Sequence, residues 1–221
     1  MREYEITLTG VQPLLMHADD IGWADEMDRW KNDPKNKAKS KAGDDRTPAF
    51  RWLGSVYNDG KVVCIPADNL MRCLMEGGAS VPVPGGRSGK TFKSQTQSGL
   101  FVASAFWPLE VRGKMLDWPE FEKMTSEDDY EKHRAFALKR GFMLYVRRAK
   151  IGTSKHIRVR PRFDAWSTTG ILSVIDDQIT TDVLRTILEY AGKYKGLGDW
   201  RPSSKTPGPY GTFEAAVKQL S

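Results

Sequence analysis

Eleven lysines and arginines fall between residues 132 and 162 of this 221-residue chain: Lys132, Arg134, Lys139, Arg140, Arg147, Arg148, Lys150, Lys155, Arg158, Arg160 and Arg162. The stretch contains no Asp or Glu. With 34 basic and 28 acidic residues the net charge is +6, so subtracting these eleven leaves −5 for the rest of the chain. Basicity this local points to an anionic partner. Within it His156, Arg158, Arg160 and Arg162 alternate with Ile157, Val159, Pro161 and Phe163, the period of a strand with one cationic and one apolar face. Guanidinium groups two residues apart suit a line of phosphates. Trp166, Tyr194, Trp200, Tyr210 and Phe213 follow and offer planar surfaces for exposed bases, among the further cations Lys193, Lys195 and Arg201. Gly196 and Gly198 allow backbone N–H groups to approach a phosphate closely. A phosphate track beside aromatic platforms is what single-stranded nucleic acid requires, RNA or DNA.

The other reactive residue types are sparse. His17 and His156 are candidates for general acid–base work on RNA, and neighbouring cations depress a histidine pKa toward the neutral, base-competent form. No nucleophile or second acid is fixed by spacing. Gly89, Lys90 and Thr91 resemble the end of a phosphate loop, but the first glycine of that pattern should fall at residue 84, which is Pro84. Arg87, Lys90 and Lys93 therefore read as cations of a flexible basic loop over 81–98, able to lie across a strand. Two cysteines and three histidines show no metal-ligand spacing, so no metal and no cofactor are expected.

The elements that must position these groups follow from periodicity. Glu3 to Thr9 alternates as a strand with Tyr4, Ile6 and Leu8 on one face. Residues 18–50 read as an exposed, charge-rich insertion, in which Trp23, Met27 and Trp30 recur at helical spacing. Ser55 to Ile65 reads as a hairpin turning at Asn58, Asp59 and Gly60. Ala67 to Glu76 reads as a helix with Leu70, Met71, Leu74 and Met75 inward. Gly99 to Val111 reads as one buried strand, and Trp118 to Lys132 as acidic surface with one short helix. Phe142 to Val146 fits a central strand leading into the basic one. Ser167 to Ile175 is another strand, and Thr181 to Ala191 is a helix with Gly192 at its left-handed C-terminal position. A short strand around Phe213 ends the chain.

At 39% hydrophobic residues the chain reads as one domain, 1–221, with a real core. No apolar run approaches the roughly 20 residues that span a bilayer, and the first nine residues do not form a signal peptide. A cytoplasmic protein with reduced cysteines and no membrane association is the expectation.

Reduced to order, strand, hairpin, helix, strand, strand pair, helix, glycine-rich loop, strand is an elaborated β-α-β-β-α-β arrangement, an α+β fold of ferredoxin-like (RRM-like) type with an antiparallel sheet. Three landmarks resemble the RAMP superfamily, which supplies backbone and processing subunits of CRISPR ribonucleoprotein complexes. Pro13, Leu14, Leu15, Met16 and His17 resemble that family's exit from strand one. Cys64, Ile65, Pro66, Ala67, Asp68, Asn69, Leu70, Met71 and Arg72 are similar to the start of its first helix, with Ala67 where glycine is usual. Gly196, Leu197, Gly198, Gly208 and Gly211 resemble its glycine-rich loop, here interrupted by Pro202, Pro207 and Pro209. The same landmarks are similar to proteins of phages and prophages. The resemblance implies the fold, RNA or single-strand binding without catalysis, and a homo-oligomeric, filament-like or multisubunit assembly. It also implies two alternatives: an endoribonuclease using His17, His156 or a loop aspartate among Asp19, Asp20 and Asp25, and a phage structural or interaction protein that binds no nucleic acid.

Overall fold

The computed structural model describes residues 1–37, 47–86, 89–151 and 154–220, with backbone alone at residues 37, 148–151 and 154–156. The chain opens with β1 (Arg2–Gly10) and β2 (Leu14–Leu15), followed by α1 (Ile21–Asn32) and a single turn α2 (Pro34–Lys37). A 3-10 segment, Ala49–Ser55, leads to β3 (Cys64–Pro66), α3 (Ala67–Gly78), α4 (Lys93–Gly99), β4 (Leu100–Val102), β5 (Phe106–Val111) and β6 (Lys114–Met115). Then come α5 (Trp118–Glu122), α6 (Tyr130–Lys139), β7 (Met143–Ile151), β8 (Ser154–Phe163), β9 (Trp166–Val174), α7 (Thr181–Tyr190) and β10 (Phe213–Gln219).

All strand pairings among the described residues are antiparallel. One sheet runs β10-β1-β9-β5-β3, with β4 on β9 and β6 on β5, and a second runs β2-β8-β7. The fold is therefore mixed α and β with antiparallel sheets. Strand alternation sets which face of the larger sheet is buried: Tyr4, Ile6 and Leu8 point inward beside Leu172 and Thr168. Helices α3 and α7 pack together over that face, closing an apolar seam lined by Ile6, Leu8, Leu70, Leu74, Leu172 and Leu188. Burial of each such side chain is worth about 1.5–3 kcal/mol.

The second sheet has its own aromatic centre, continuous with the first core. Trp52 is fully buried, with the rings of Phe142, Phe121 and Phe136 centred 5.6, 5.8 and 6.2 Å away. Its indole N–H donates to His133 Nδ1 at 2.9 Å, which places the imidazole proton on Nε2, 2.9 Å from the Glu127 carbonyl. The insertion helix α1 docks here, with Trp23 6.0 Å from Phe50. Its spacing of Trp23, Met27 and Trp30 serves packing on the body. Part of the insertion, 38–46, lies outside the described residues.

Several elements differ from the sequence expectation, each for a tertiary reason. The loop expected over 81–98 ends in α4, a polar helix held by burial of Thr96, whose hydroxyl donates to the Phe92 carbonyl at 2.9 Å. The strand expected from Gly99 to Val111 is two strands, β4 and β5, because the chain bends at 103–105, where the Ala105 carbonyl accepts from Ala67 N–H at 2.8 Å. Phe101 and Phe106 are consequently exposed. The hairpin expected over Ser55–Ile65 shrinks to a single Asn58–Val63 bridge, since residues 49–55 coil to bury Trp52 and Leu53. Helix α6 was not anticipated; Asp129 caps it and His133 and Ala137 are its buried contacts. The run Phe142–Val146 is not central, for β7 is the edge of the smaller sheet and Val146 is exposed. Gly192 does not end α7. The chain continues through a π turn to Gly196, whose φ of 72° is the left-handed stop.

Candidate nucleic-acid interface

The basic run divides by element. Its first four cations lie on or just after α6, and three of them face acidic neighbours: Lys132 with Glu127 at 2.8 Å, Arg134 with Glu131 at 3.1 Å, and Arg140 with Glu120 at 2.5 Å. Lys139 is exposed in the last turn of that helix. The rest lie on the β7–β8 ribbon. Here the expected alternation is realised: Val159, Pro161 and Phe163 are buried, while Arg158, Arg160 and Arg162 face the other way. The register sets Arg158 directly opposite Arg147, Arg160 opposite Tyr145 and Arg162 opposite Met143. Like charges opposed across a ladder destabilise it, so the Arg147–Arg158 pair is a place where the fold is not optimised for itself.

The glycine-rich segment lies across this cationic face. Asp199 N–H donates to the Leu15 carbonyl at 2.8 Å, Leu197 N–H to Gly211 at 2.9 Å and Gly211 N–H to Pro13 at 2.8 Å. The loop is thereby tied to the exit of β1. Gly198 sits so close to the Leu15 carbonyl that a Cβ would come within 2.3 Å of it, and its φ of 74° already disfavours other residues. The Gly196 N–H is used internally, donating to Ala191 at 2.9 Å, so it is not an anion donor as the sequence suggested. From this loop Asp199 pairs with Arg160. Trp200 lies under the Arg147 guanidinium at 3.9 Å and against Tyr210 at 5.4 Å. Tyr210 reaches Tyr145, 6.0 Å between centroids, and burial together with their hydrogen bond raises the Tyr210 hydroxyl above its usual range.

Two cations of the predicted track are thus taken by carboxylates. Arg160 is only 14% exposed beside Asp199, and Arg162 pairs with Asp164 at 2.7 Å. Burial, then the charge of Arg158, pushes the Arg160 pKa down to about 10, which still leaves it charged at neutral pH. Arg147 and Arg158 face no carboxylate among the described residues. The side chains of Arg148, Lys150, Lys155 and His156 lie outside the described residues, as does Arg87.

Beside the ribbon is a cavity of about 380 Å³ lined by His17, Tyr57, Asn69, Arg72, Gly198 and Arg201, together with Asp19 and Asp199. Four separate parts of the chain meet here: the residues after β2, Tyr57 ahead of β3, the first turns of α3, and the glycine-rich loop. The α3 N-terminus has Pro66 before it and no side-chain cap; its Ala67 N–H donates to the Ala105 carbonyl at 2.8 Å, and its positive dipole end lies toward the cavity beside Asn69. Burial lowers the His17 pKa, Arg160 and Arg158 lower it further, and Asp19 at 3.9 Å offsets part of this. The Tyr57 hydroxyl donates to the His17 carbonyl at 2.8 Å and fixes that backbone. Glu76 accepts from Arg72 at 3.2 Å and Arg201 at 3.4 Å. Burial alone would raise the Glu76 carboxyl, but hydrogen bonds from Ser203 and Arg72 and the charge of Arg201 together hold it low.

Not every predicted residue joins this site. Lys90 and Lys93 lie with α4, which packs on α3 around Gly78 and beside Asp176 and Gln178. That is the far end of α3 from Asn69. Lys193 is on the outer side of the π turn, lining a separate cavity of about 680 Å³ with Arg185, Glu189 and Phe213. Lys195 is half-buried beside the loop, its carbonyl accepting from Ser203 at 3.3 Å. Tyr145, Tyr57, Asn69, Arg72 and Asp199 were missed as site residues. Tyr145, two residues before Arg147 on a strand, and Asp199, between Gly198 and Trp200, carried a signal of position.

The uncovered face of the larger sheet carries Glu3, Glu5, Glu110 and Glu214 against Lys218. A phosphate chain is repelled there. Among the described residues no group of three or more His, Cys, Asp or Glu is placed to hold a metal ion, and no helix is long and apolar enough to cross a membrane. Cys64 and Cys73 are buried free thiols, pushed up to about 12 by burial. The sequence matches no protein-family model, and no curated protein is significantly similar to it.

Proposed function

We propose that this chain is a ferredoxin-like, RAMP-type module that binds single-stranded nucleic acid, RNA in preference to DNA, without cutting it, as part of an oligomeric assembly. The fold part rests on the strand order β10-β1-β9-β5 with α3 between β1 and β5 and α7 between β9 and β10, the pattern of a β-α-β-β-α-β sheet into which the β7–β8 ribbon and α4 to α6 are inserted. The function rests on one observation: the β7–β8 cations, the uncapped start of α3 and the glycine-rich loop adjoin a single groove. Arg147 and Arg158 supply the phosphate track, and Trp200 with Tyr210 and Tyr145 supplies a stacking platform. The acidic open sheet face keeps the strand on this side. Fluorescence anisotropy with short single- and double-stranded oligonucleotides at several salt concentrations tests this. Single strands bind, log Kd rises linearly with log salt, and Arg147→Glu with Arg158→Glu abolishes binding. Absent or salt-insensitive binding refutes the reading, and one monomeric mass by light scattering with and without oligonucleotide refutes the assembly part.

A second reading, RNA cleavage with His17 as the proton-transfer group, is favoured by the lowered His17 pKa beside Arg72 and Arg201. End-labelled RNA left equally intact by wild type and His17→Ala excludes it.

A further inference from the structure

The charges that line the cavity beside the ribbon cancel one another. Arg72 and Arg201 share Glu76, Arg160 holds Asp199, and His17 stands 3.9 Å from Asp19. A phosphate entering would have to displace carboxylates that are already bonded, whereas an uncharged hydrogen-bonding group would not. The volume, about 380 Å³, is at the low end of the range of roughly 300–1,000 Å³ for small-molecule sites, room for one nucleoside and not for a run of strand. Asn69 faces this space, half-buried on the first turn of α3, and its amide makes no hydrogen bond among the described residues. Arg147 and Arg158, which face no carboxylate among the described residues, lie outside it on the ribbon.

We propose that this cavity receives one unstacked base of the bound strand and that Asn69 reads it, so that the protein prefers adenine at one position. Phosphates stay on the ribbon, where charge is unpaired, and the base turns inward, where charge is balanced. An Asn amide presents one donor and one acceptor side by side, the complement of adenine N7 and its N6 amino group. Tyr57 and the backbone of Gly196 to Gly198 form the walls. This inference rests on strand binding as proposed above and adds to it a base preference.

The test compares oligoadenylate, oligocytidylate and oligouridylate by anisotropy at one salt concentration, for wild type, Asn69→Ala, Asn69→Asp and Arg158→Ala. Wild type binds oligoadenylate about tenfold more tightly than oligouridylate. Asn69→Ala removes that preference, bringing the ratio of oligoadenylate to oligouridylate affinity to about one. Asn69→Asp, which offers only acceptors and suits a helix N-terminus, shifts preference to cytosine through its amino group. Arg158→Ala weakens all three equally. Equal wild-type affinities, or an adenine preference that survives both Asn69 substitutions, overturn the pocket while leaving strand binding standing. Absence of binding to every oligomer overturns both. Full competition by adenosine monophosphate at equal base concentration overturns the strand part and makes the cavity a free-nucleotide site.

Discussion

Replacing Asp199 by Asn should destabilise this protein and at the same time tighten its grip on a strand. Asp199 holds Arg160, whose side chain is 14% exposed while that of Asp199 is 26% exposed. Removing one partner of a fully buried pair costs about 3–5 kcal/mol. With a quarter of the carboxylate in water and an isosteric amide still able to accept a hydrogen bond, about 2 kcal/mol is the working figure. For a chain of 221 residues that lowers Tm by about 4–8 °C. The same change frees one guanidinium on the face where Arg147 and Arg158 already stand. Each additional phosphate contact steepens the slope of log K against log salt by about 0.7 for a single strand, or about 2.5-fold in affinity over a fourfold change in salt. Thermal unfolding by circular dichroism and a salt series by anisotropy measure the two effects on one sample. An ordinary structural ion pair would lose both stability and affinity when broken. If Asp199→Asn melts lower and also binds more weakly, or shows an unchanged salt slope, then Arg160 is a strut of the fold and the groove is not a phosphate track.

Two further substitutions probe how the groove is built. Gly198→Ala puts a Cβ 2.3 Å from the Leu15 carbonyl at a φ of 74°, so it should lower stability by about 2 kcal/mol or more and weaken strand binding together, while Gly60→Ala, with φ 83° but open space around it, should cost about 1 kcal/mol and leave binding intact. His17 gives a pH signature. Its pKa is lowered on folding from 6.5, so between that value and the lowered one the unfolded chain holds more protons than the native chain, and stability rises with pH. Wild-type stability should therefore fall as pH drops through 6.5 and below, and His17→Gln should lose that component of the slope; an identical pH dependence in the two proteins counters the assignment.

How much of this was legible in advance depended on the range of the interaction. The inward stripe of β1, the helix α3 from Ala67, the helix α7 from Thr181 and the two-faced β8 were readable, because each depends on neighbours two to four residues away. Helices α4 and α6 were not, because polar Thr96 and His133 are buried only by partners far along the chain, Gly78 and Trp52. Placing Phe142–Val146 at the centre of a sheet failed for a similar reason. An apolar run does not reveal whether a second neighbour will arrive, and among the described residues β7 has only β8.

The basic stretch shows the division most clearly. By itself the sequence determined that cations and apolar residues alternate from 156 to 163, because strand geometry turns a period of two into two faces. Which cations stay free was decided only in three dimensions. Asp199 lies 39 positions from Arg160 in sequence, and no local rule brings them together; the glycine-rich loop does, once Gly198 allows its backbone onto Leu15. Asn69 and Arg72 likewise join the groove through the packing of α3 against the π turn that precedes that loop. Charge and periodicity are properties of the chain, whereas compensation of charge is a property of the fold, because Coulomb energy depends on distance in space.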